Sequence, residues 1–203
     1  MKLIDRYIIN RFTIALMGVY LKNGYFYSLV MEGKKTFLVN LSPTEILETS
    51  LLYYGNDLEG AENASKAALG DIEMPPIKIS GSLGIYWFPS TSTENADCVW
   101  FSVNHIKEII AVGKSKSKVV LEFGDAITVN IRKKAFEMKE YRARYLKNIY
   151  DKRTDPRIKF TYNPRKKADN VAENKNTYHF EQTEDGIIQI FPDKDNDDQH
   201  HKK

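Results

Sequence analysis

Fourteen Lys and Arg side chains fall between Arg132 and Lys167, and only four acids, Glu137, Glu140, Asp151 and Asp155, share that stretch. Its net charge is therefore +10 in a chain whose total is +3, which leaves −7 for everything else. The chemistry open to such a cluster is neutralisation of a row of phosphates, with release of the counterions condensed on them. A concentrated basic segment beside an acidic remainder is the electrostatic footprint of a protein with a polyanionic partner. A solvated charged face with no partner is the alternative. Lys114, Lys116 and Lys118 extend the basic surface upstream, so the candidate nucleic-acid contacts are these three with Arg132, Lys133, Lys134, Lys139, Arg142, Arg144 and Lys147.

The first part of the cluster, Arg132 to Tyr150, has helical periodicity. At about 100° per residue, Met138, Tyr141, Tyr145, Leu146 and Ile149 share one broad face, while Lys133, Arg144 and Lys147 gather opposite. The pattern predicts a helix packed on a core by its apolar stripe, with a basic outer side. Arg142 falls inside the stripe, where it either snorkels over Tyr141 and Tyr145 or points into a groove to meet a ligand. Immediately upstream, Val119, Leu121 and Phe123 alternate on one face, as do Ile127, Val129 and Ile131 on the return, with Gly124-Asp125 as the turn. That reads as a hairpin, and a hairpin followed by a helix belongs to α+β architecture.

The N-terminal third reads as a β-meander: Tyr7 to Asn10, Thr13 to Leu21, Tyr25 to Met31 and Thr36 to Asn40 are rich in β-branched and aromatic residues, with turns at Lys22-Asn23-Gly24 and Glu32-Gly33-Lys34. A helix follows, with Ser42 as N-cap, Pro43 at the first helical position, Glu45 completing a capping box and Gly55 as the stop. Residues 56–75 are Ala-rich and acidic, an insertion that would repel a phosphate backbone, closed by Pro75-Pro76. Ile77 to Ser80, Ile85 to Pro89 and Cys98 to Val103 read as extended, with Gly81 and Gly84 in an ordinary loop and Trp87 and Trp100 in the core. His105 to Val112 fits a strand or a short helix, and its apolar content predicts burial.

Beyond Tyr150 the periodicity fades. Residues 151–167 form a basic, proline-punctuated linker and 168–203 an acidic, polar tail expected to lack order, apart from an apolar island at Ile187, Ile188, Ile190 and Phe191. A tethered acidic tail would compete with a nucleic acid for the basic segment; a solvated solubility tail is the alternative. The expected organisation is thus one domain over residues 1–150, the linker, and the tail. With 42% hydrophobic and 12% aromatic residues the chain can build a real core without disulfides. The single cysteine, Cys98, suits a reducing cytoplasm as a small buried hydrophobe. The apolar run Phe12 to Leu21 is too short to span a membrane.

Catalytic chemistry is sparse. There is no Gly-x-Ser-x-Gly and no His-Glu-x-x-His, and three of the four histidines, His179, His200 and His201, lie in the tail, leaving only His105 upstream. No metal or cofactor is expected, and an enzyme would have to rest on acids alone.

Several stretches, taken together in order and spacing, carry a resemblance: Tyr53-Tyr54-Gly55, Pro75-Pro76-Ile77, Trp87-Phe88-Pro89, Cys98-Val99-Trp100-Phe101-Ser102, His105-Ile106-Lys107-Glu108, Phe136-Glu137 and Tyr141-Arg142. Across about residues 37 to 150 the chain resembles the competence transcription factors of low-GC Gram-positive bacteria, the ComK family. The resemblance implies a DNA-binding activator of genes for DNA uptake, reading the minor groove of A/T-rich elements as dimers that assemble in pairs. It also implies a C-terminal Phe-x-x-Tyr-Pro-Lys motif read by a protease adaptor. Here Phe160, Pro164 and Arg165 keep that spacing, with the tyrosine one place early at Tyr162. In the loop Ser90 to Asp97, where the family carries a basic residue, this chain has Asn95.

The sequence therefore predicts an α+β domain: a mostly antiparallel sheet with an N-terminal meander and a C-terminal basic amphipathic helix packed on it. Its expected role is a cytoplasmic transcriptional activator on A/T-rich double-stranded DNA, as a homodimer or paired dimers, with no membrane and no enzymatic activity. The rival reading is an interaction protein whose basic helix docks an acidic protein surface.

Overall fold

The computed structural model describes residues 2–22 and 24–155, together with the backbone of 178–182 and 188–192. The chain divides into two units, 1–159 and 160–203. In the first, β1 (Leu3–Ile4), β2 (Thr13–Tyr20), β3 (Phe26–Glu32) and β4 (Lys35–Val39) precede α1 (Pro43–Tyr53) and α2 (Leu58–Leu69). Then come β5 (Ile77–Ser80), β6 (Ile85–Pro89), β7 (Val99–Ser102), a 3-10 turn (Val103–His105), β8 (Ile106–Val112), β9 (Lys116–Leu121), β10 (Ala126–Val129) and α3 (Lys133–Arg153). The fold is α+β.

Strands β1 to β7 form one sheet in the order β1-β4-β3-β2-β7-β6-β5, antiparallel except for the β1–β4 pair. The interior strands β6 and β7 are buried throughout, which requires cover on both faces. Alternation sends Trp87 and Trp100 to the side packed with Ile46, Leu47 and Leu51 of α1 and Ala61 of α2. Phe88 and Phe101 turn to the other side. There they meet Phe136 of α3 at ring-centroid distances of 5.5 and 5.2 Å, beside Val119, Leu121, Ile127 and Val129 of a second, three-stranded sheet ordered β10-β9-β8. The architecture is three layers, with the large sheet in the middle.

Local chemistry explains most boundaries. Ser42 Oγ accepts from the Glu45 amide at 3.3 Å while the Glu45 carboxylate accepts from the Ser42 amide at 2.6 Å, the reciprocal capping box. Gly55, at φ +84°, takes the left-handed conformation that ends the helix. Val119 pairs with Ile127 and Ser117 with Val129, so Val119, Leu121, Ile127 and Val129 face inward as expected, whereas Phe123, expected on the same face, lies exposed at the turn.

The structure departs from the sequence reading at several points. Tyr7 to Asn10 is not a strand; side chains take up its hydrogen bonds instead. Tyr7 Oη contacts the Thr13 hydroxyl and donates to Glu32, both at 2.6 Å, and the Ile9 and Asn10 amides donate to Ser50 and Thr13 hydroxyls at 2.9 Å. The Ala-rich acidic stretch is a helix, α2, because alanine costs least to order there and Asp57 caps it by accepting from the Gly60 amide at 2.7 Å. Residues 106–112 form strand β8, yet only Ile109 of it is buried, since a ribbon at the margin of a small sheet leaves its outer face in water. The last helix runs on to Arg153. In the second unit, β11 (Tyr178–Gln182) and β12 (Ile188–Pro192) pair as an antiparallel hairpin, so those ten residues have regular structure where none was expected.

Candidate nucleic-acid interface

Helix α3 buries a different face from the one its aromatic residues suggest. Phe136, Ala143 and Leu146 face the core, and Tyr150 packs beside them with its hydroxyl donating to the Ala64 carbonyl of α2 at 3.2 Å. Met138, Tyr141 and Tyr145 point outward at 51%, 62% and 47% exposure. The two tyrosine rings stack with centroids 6.1 Å apart and planes 3° apart. Both stripes satisfy helical spacing. The Phe88–Phe101 cluster decides between them, because its gap accepts Phe136.

This rotation redistributes the cations. Lys133 pairs with Glu137 at 3.6 Å, Arg144 places Nε and Nη2 at 2.9 and 2.7 Å from one Glu140 oxygen, and Lys147 pairs with Asp151. Each is an i,i+4 pair, so the three residues expected to form the basic outer face are locally neutralised. Lys139 is half-buried, its Nζ 3.8 Å from Met74 Sδ. Burial pulls its pKa below the ordinary lysine value, the nearby Cys98 opposes that shift, and Arg142 adds to it. Burial also pushes the Cys98 thiol up, and Cys98 Sγ donates to the Thr91 carbonyl at 3.4 Å. Arg142 stands half-buried near Lys139, and its guanidinium makes no cation–ring contact with Tyr141 or Tyr145 among the described residues.

The remaining candidates converge. Lys114 sits in the three-residue turn opened by Gly113 at φ +64°, and Lys116 and Lys118 project from the exposed face of β9. Ser117, between them, is buried and donates from its hydroxyl to the Ile131 carbonyl at 2.7 Å, which holds the lead-in to α3 against β9. Arg132, the N-cap of α3, and Lys134 are therefore carried on a segment anchored between the lysines of β9. Lys114, Lys116, Lys118, Arg132 and Lys134 are all exposed and form no ion pair among the described residues. The first turn of α3 holds no acid, whereas α1 and α2 each carry one.

Two residues that the charge pattern alone does not reveal adjoin this end. Ile110 and Val112 pair across the ribbon with Lys118 and Lys116, and so lie on its water-facing side. Their signal was present in the alternation: Lys116 and Lys118 face out if Val119 and Leu121 face in, and the antiparallel register then places Ile110 and Val112 outward. Loop 90–97 meets the same end through Asn130 Nδ2, which donates to Asp97 at 3.3 Å. Asn95 lines a cavity there with Ser90, Thr91 and Asn130. The adaptor-motif residues Phe160, Tyr162, Pro164 and Arg165 lie outside the described residues. Among the described residues no group of His, Cys, Asp and Glu is placed to hold a metal, and no helix is long and apolar enough to cross a membrane.

The described residues thus form an α+β domain that carries five exposed cations without ion-pair partners towards one end. The chain belongs to the ComK protein family, which matches residues 4–155. It is similar to the competence transcription factor of Bacillus subtilis (strain 168), with 27% identity over 155 residues covering 76% of this chain and 80% of that protein. No solved structure matches.

Proposed function

We propose that this chain is a competence transcription factor, a DNA-binding activator that meets A/T-rich duplex with the end formed by β9 and the start of α3. The observation that carries the reading is the set of five exposed, unpaired cations, Lys114, Lys116, Lys118, Arg132 and Lys134, in a member of the ComK family. Uncompensated charge held on rigid elements favours phosphate contacts, because little ordering entropy remains to be lost on binding. A narrow A-tract minor groove concentrates negative potential and attracts such side chains. The family resemblance adds homodimers that assemble in pairs on the duplex. Gel shift at physiological salt with A/T-rich and G/C-rich duplexes tests the reading: preferential retardation of the A/T-rich duplex supports it, and equal or absent binding overturns it.

The resemblance also supports capture of Phe160, Tyr162, Pro164 and Arg165 by a protease adaptor. Phe160→Ala then lengthens the half-life in the host without altering DNA affinity, and equal half-lives remove that role.

One observation favours the rival, a basic helix docked on an acidic protein. Met138, Tyr141 and Tyr145 form an outward apolar seam on α3 between exposed Lys134 and Lys152, as an acidic amphipathic partner would require.

A further inference from the structure

The three-stranded sheet has two unlike sides. Val119, Leu121, Ile127 and Val129 face inward, and the opposite side of the β8–β9 ribbon presents Ile110 beside Lys118 and Val112 beside Lys116. Ile110 and Val112 are 39% and 41% exposed. A solvated sheet face ordinarily carries polar residues, as Lys116, Lys118 and Glu108 are here, so two β-branched aliphatics between them are out of place unless something covers them. The matching surface has anionic walls and a floor poor in hydrogen-bond donors. An A·T-rich minor groove has both: phosphates line it, and its floor offers only the adenine N3 and thymine O2 acceptors, whereas guanine adds an N2 amino donor. An aliphatic side chain pressed on that amino group would strip its water and return no acceptor, a penalty that A·T pairs escape.

We propose that the β8–β9 ribbon sits on the minor groove, with Ile110 and Val112 against its floor and Lys116 and Lys118 toward the phosphates. The aliphatic pair, and not a hydrogen bond to a base, supplies the preference for A·T. The inference rests on the DNA-binding reading above and names the element that makes it selective. Paired strands lie about 4.8 Å apart before side chains are counted. The groove is only about 6 Å wide and must open, which flexible TA steps allow at least cost.

The test uses the full chain and three duplexes that differ only in carrying A·T, G·C or inosine·C pairs. Inosine lacks the N2 amino group but keeps the major-groove face of guanine. The parent protein is expected to bind A·T and inosine·C duplexes alike and G·C about tenfold or more weakly. Ile110→Thr with Val112→Thr keeps β-branching, and its fold is checked by circular dichroism; its A·T over G·C ratio should fall to within about threefold. Lys116→Ala with Lys118→Ala should instead weaken all three duplexes together and lower the salt slope by about two. The proposal is overturned if inosine·C behaves as G·C, or if the threonine variant binds with the parental ratio. Should the double variant not fold, Val112→Thr alone, beside the turn that closes the ribbon, must lower the ratio or the proposal falls. If the parent binds no duplex, the DNA-binding reading falls as well, an outcome distinct from either of these.

Discussion

The Ser117 hydroxyl donates a 2.7 Å hydrogen bond to the Ile131 carbonyl, joining the middle of β9 to the segment that enters α3. Ser117 is fully buried, so Ser117→Ala leaves that carbonyl without this donor. The variant should lose about 1–2 kcal/mol of stability. Urea unfolding monitored by tryptophan fluorescence checks this, and an unchanged midpoint would show that the tie contributes nothing.

The unpaired and paired cations should separate in a salt titration. Single alanine substitutions at Lys114, Lys116, Lys118, Arg132 or Lys134 are expected to weaken binding on every sequence and reduce the slope of log K against log salt by about one. Lys133, Arg144 and Lys147 already have acidic neighbours four residues away, so their alanine variants should change the slope by less. Anisotropy measurements across a salt series decide. Equal slopes for the two sets would contradict the division.

Lys139 should stand apart from both sets. Its ammonium is half-buried with a methionine sulfur as its hydrogen-bond partner and no carboxylate paired to it among the described residues, so Lys139→Met is expected to stabilise the domain by on the order of 1 kcal/mol without lowering the salt slope. The sign with pH follows from its depressed pKa. The folded state holds this proton less tightly than the unfolded state, so the cost is fully present below the depressed value and fades as pH rises through it to the ordinary one. The stability difference between variant and parent should therefore shrink in alkaline buffer. A constant difference across pH would rule out desolvation as its source.

At the start of α1, the Ser42 backbone and side chain hold the Glu45 carboxyl below its ordinary value of 4.5. The stabilisation is present above that value and lost as pH falls through the depressed one. Ser42→Ala should cost about 1 kcal/mol at neutral pH. Glu45→Gln should flatten the acid limb of the stability profile, and an acid limb identical to the parent's would disprove the linkage.

Some of this was legible in residue order alone. Ser42 to Gly55 announces a capped helix because caps are satisfied within a few residues. Val119 to Val129 announces a hairpin because alternation and a Gly-Asp turn are equally local. Two of the stretches that carry the family resemblance, Trp87-Phe88-Pro89 and Val99-Trp100-Phe101, prove to be buried interior strands, so they mark the scaffold. Other readings failed where locality failed. The exposed strand β8 is as apolar as a buried one, and the Ala-rich stretch reads as an acidic insertion although its composition favours a helix.

The sequence by itself determined the charge separation, the α+β class and the capped and alternating elements, all of which depend on composition or on neighbours a few residues apart. Only the tertiary structure decided which lysines are free and which apolar residues face water. Burial and charge pairing belong to pairs of groups. On α3, Phe136 outcompetes Tyr141 and Tyr145 for the core because Phe88 and Phe101, about 35 to 50 residues upstream, leave a gap that it fills.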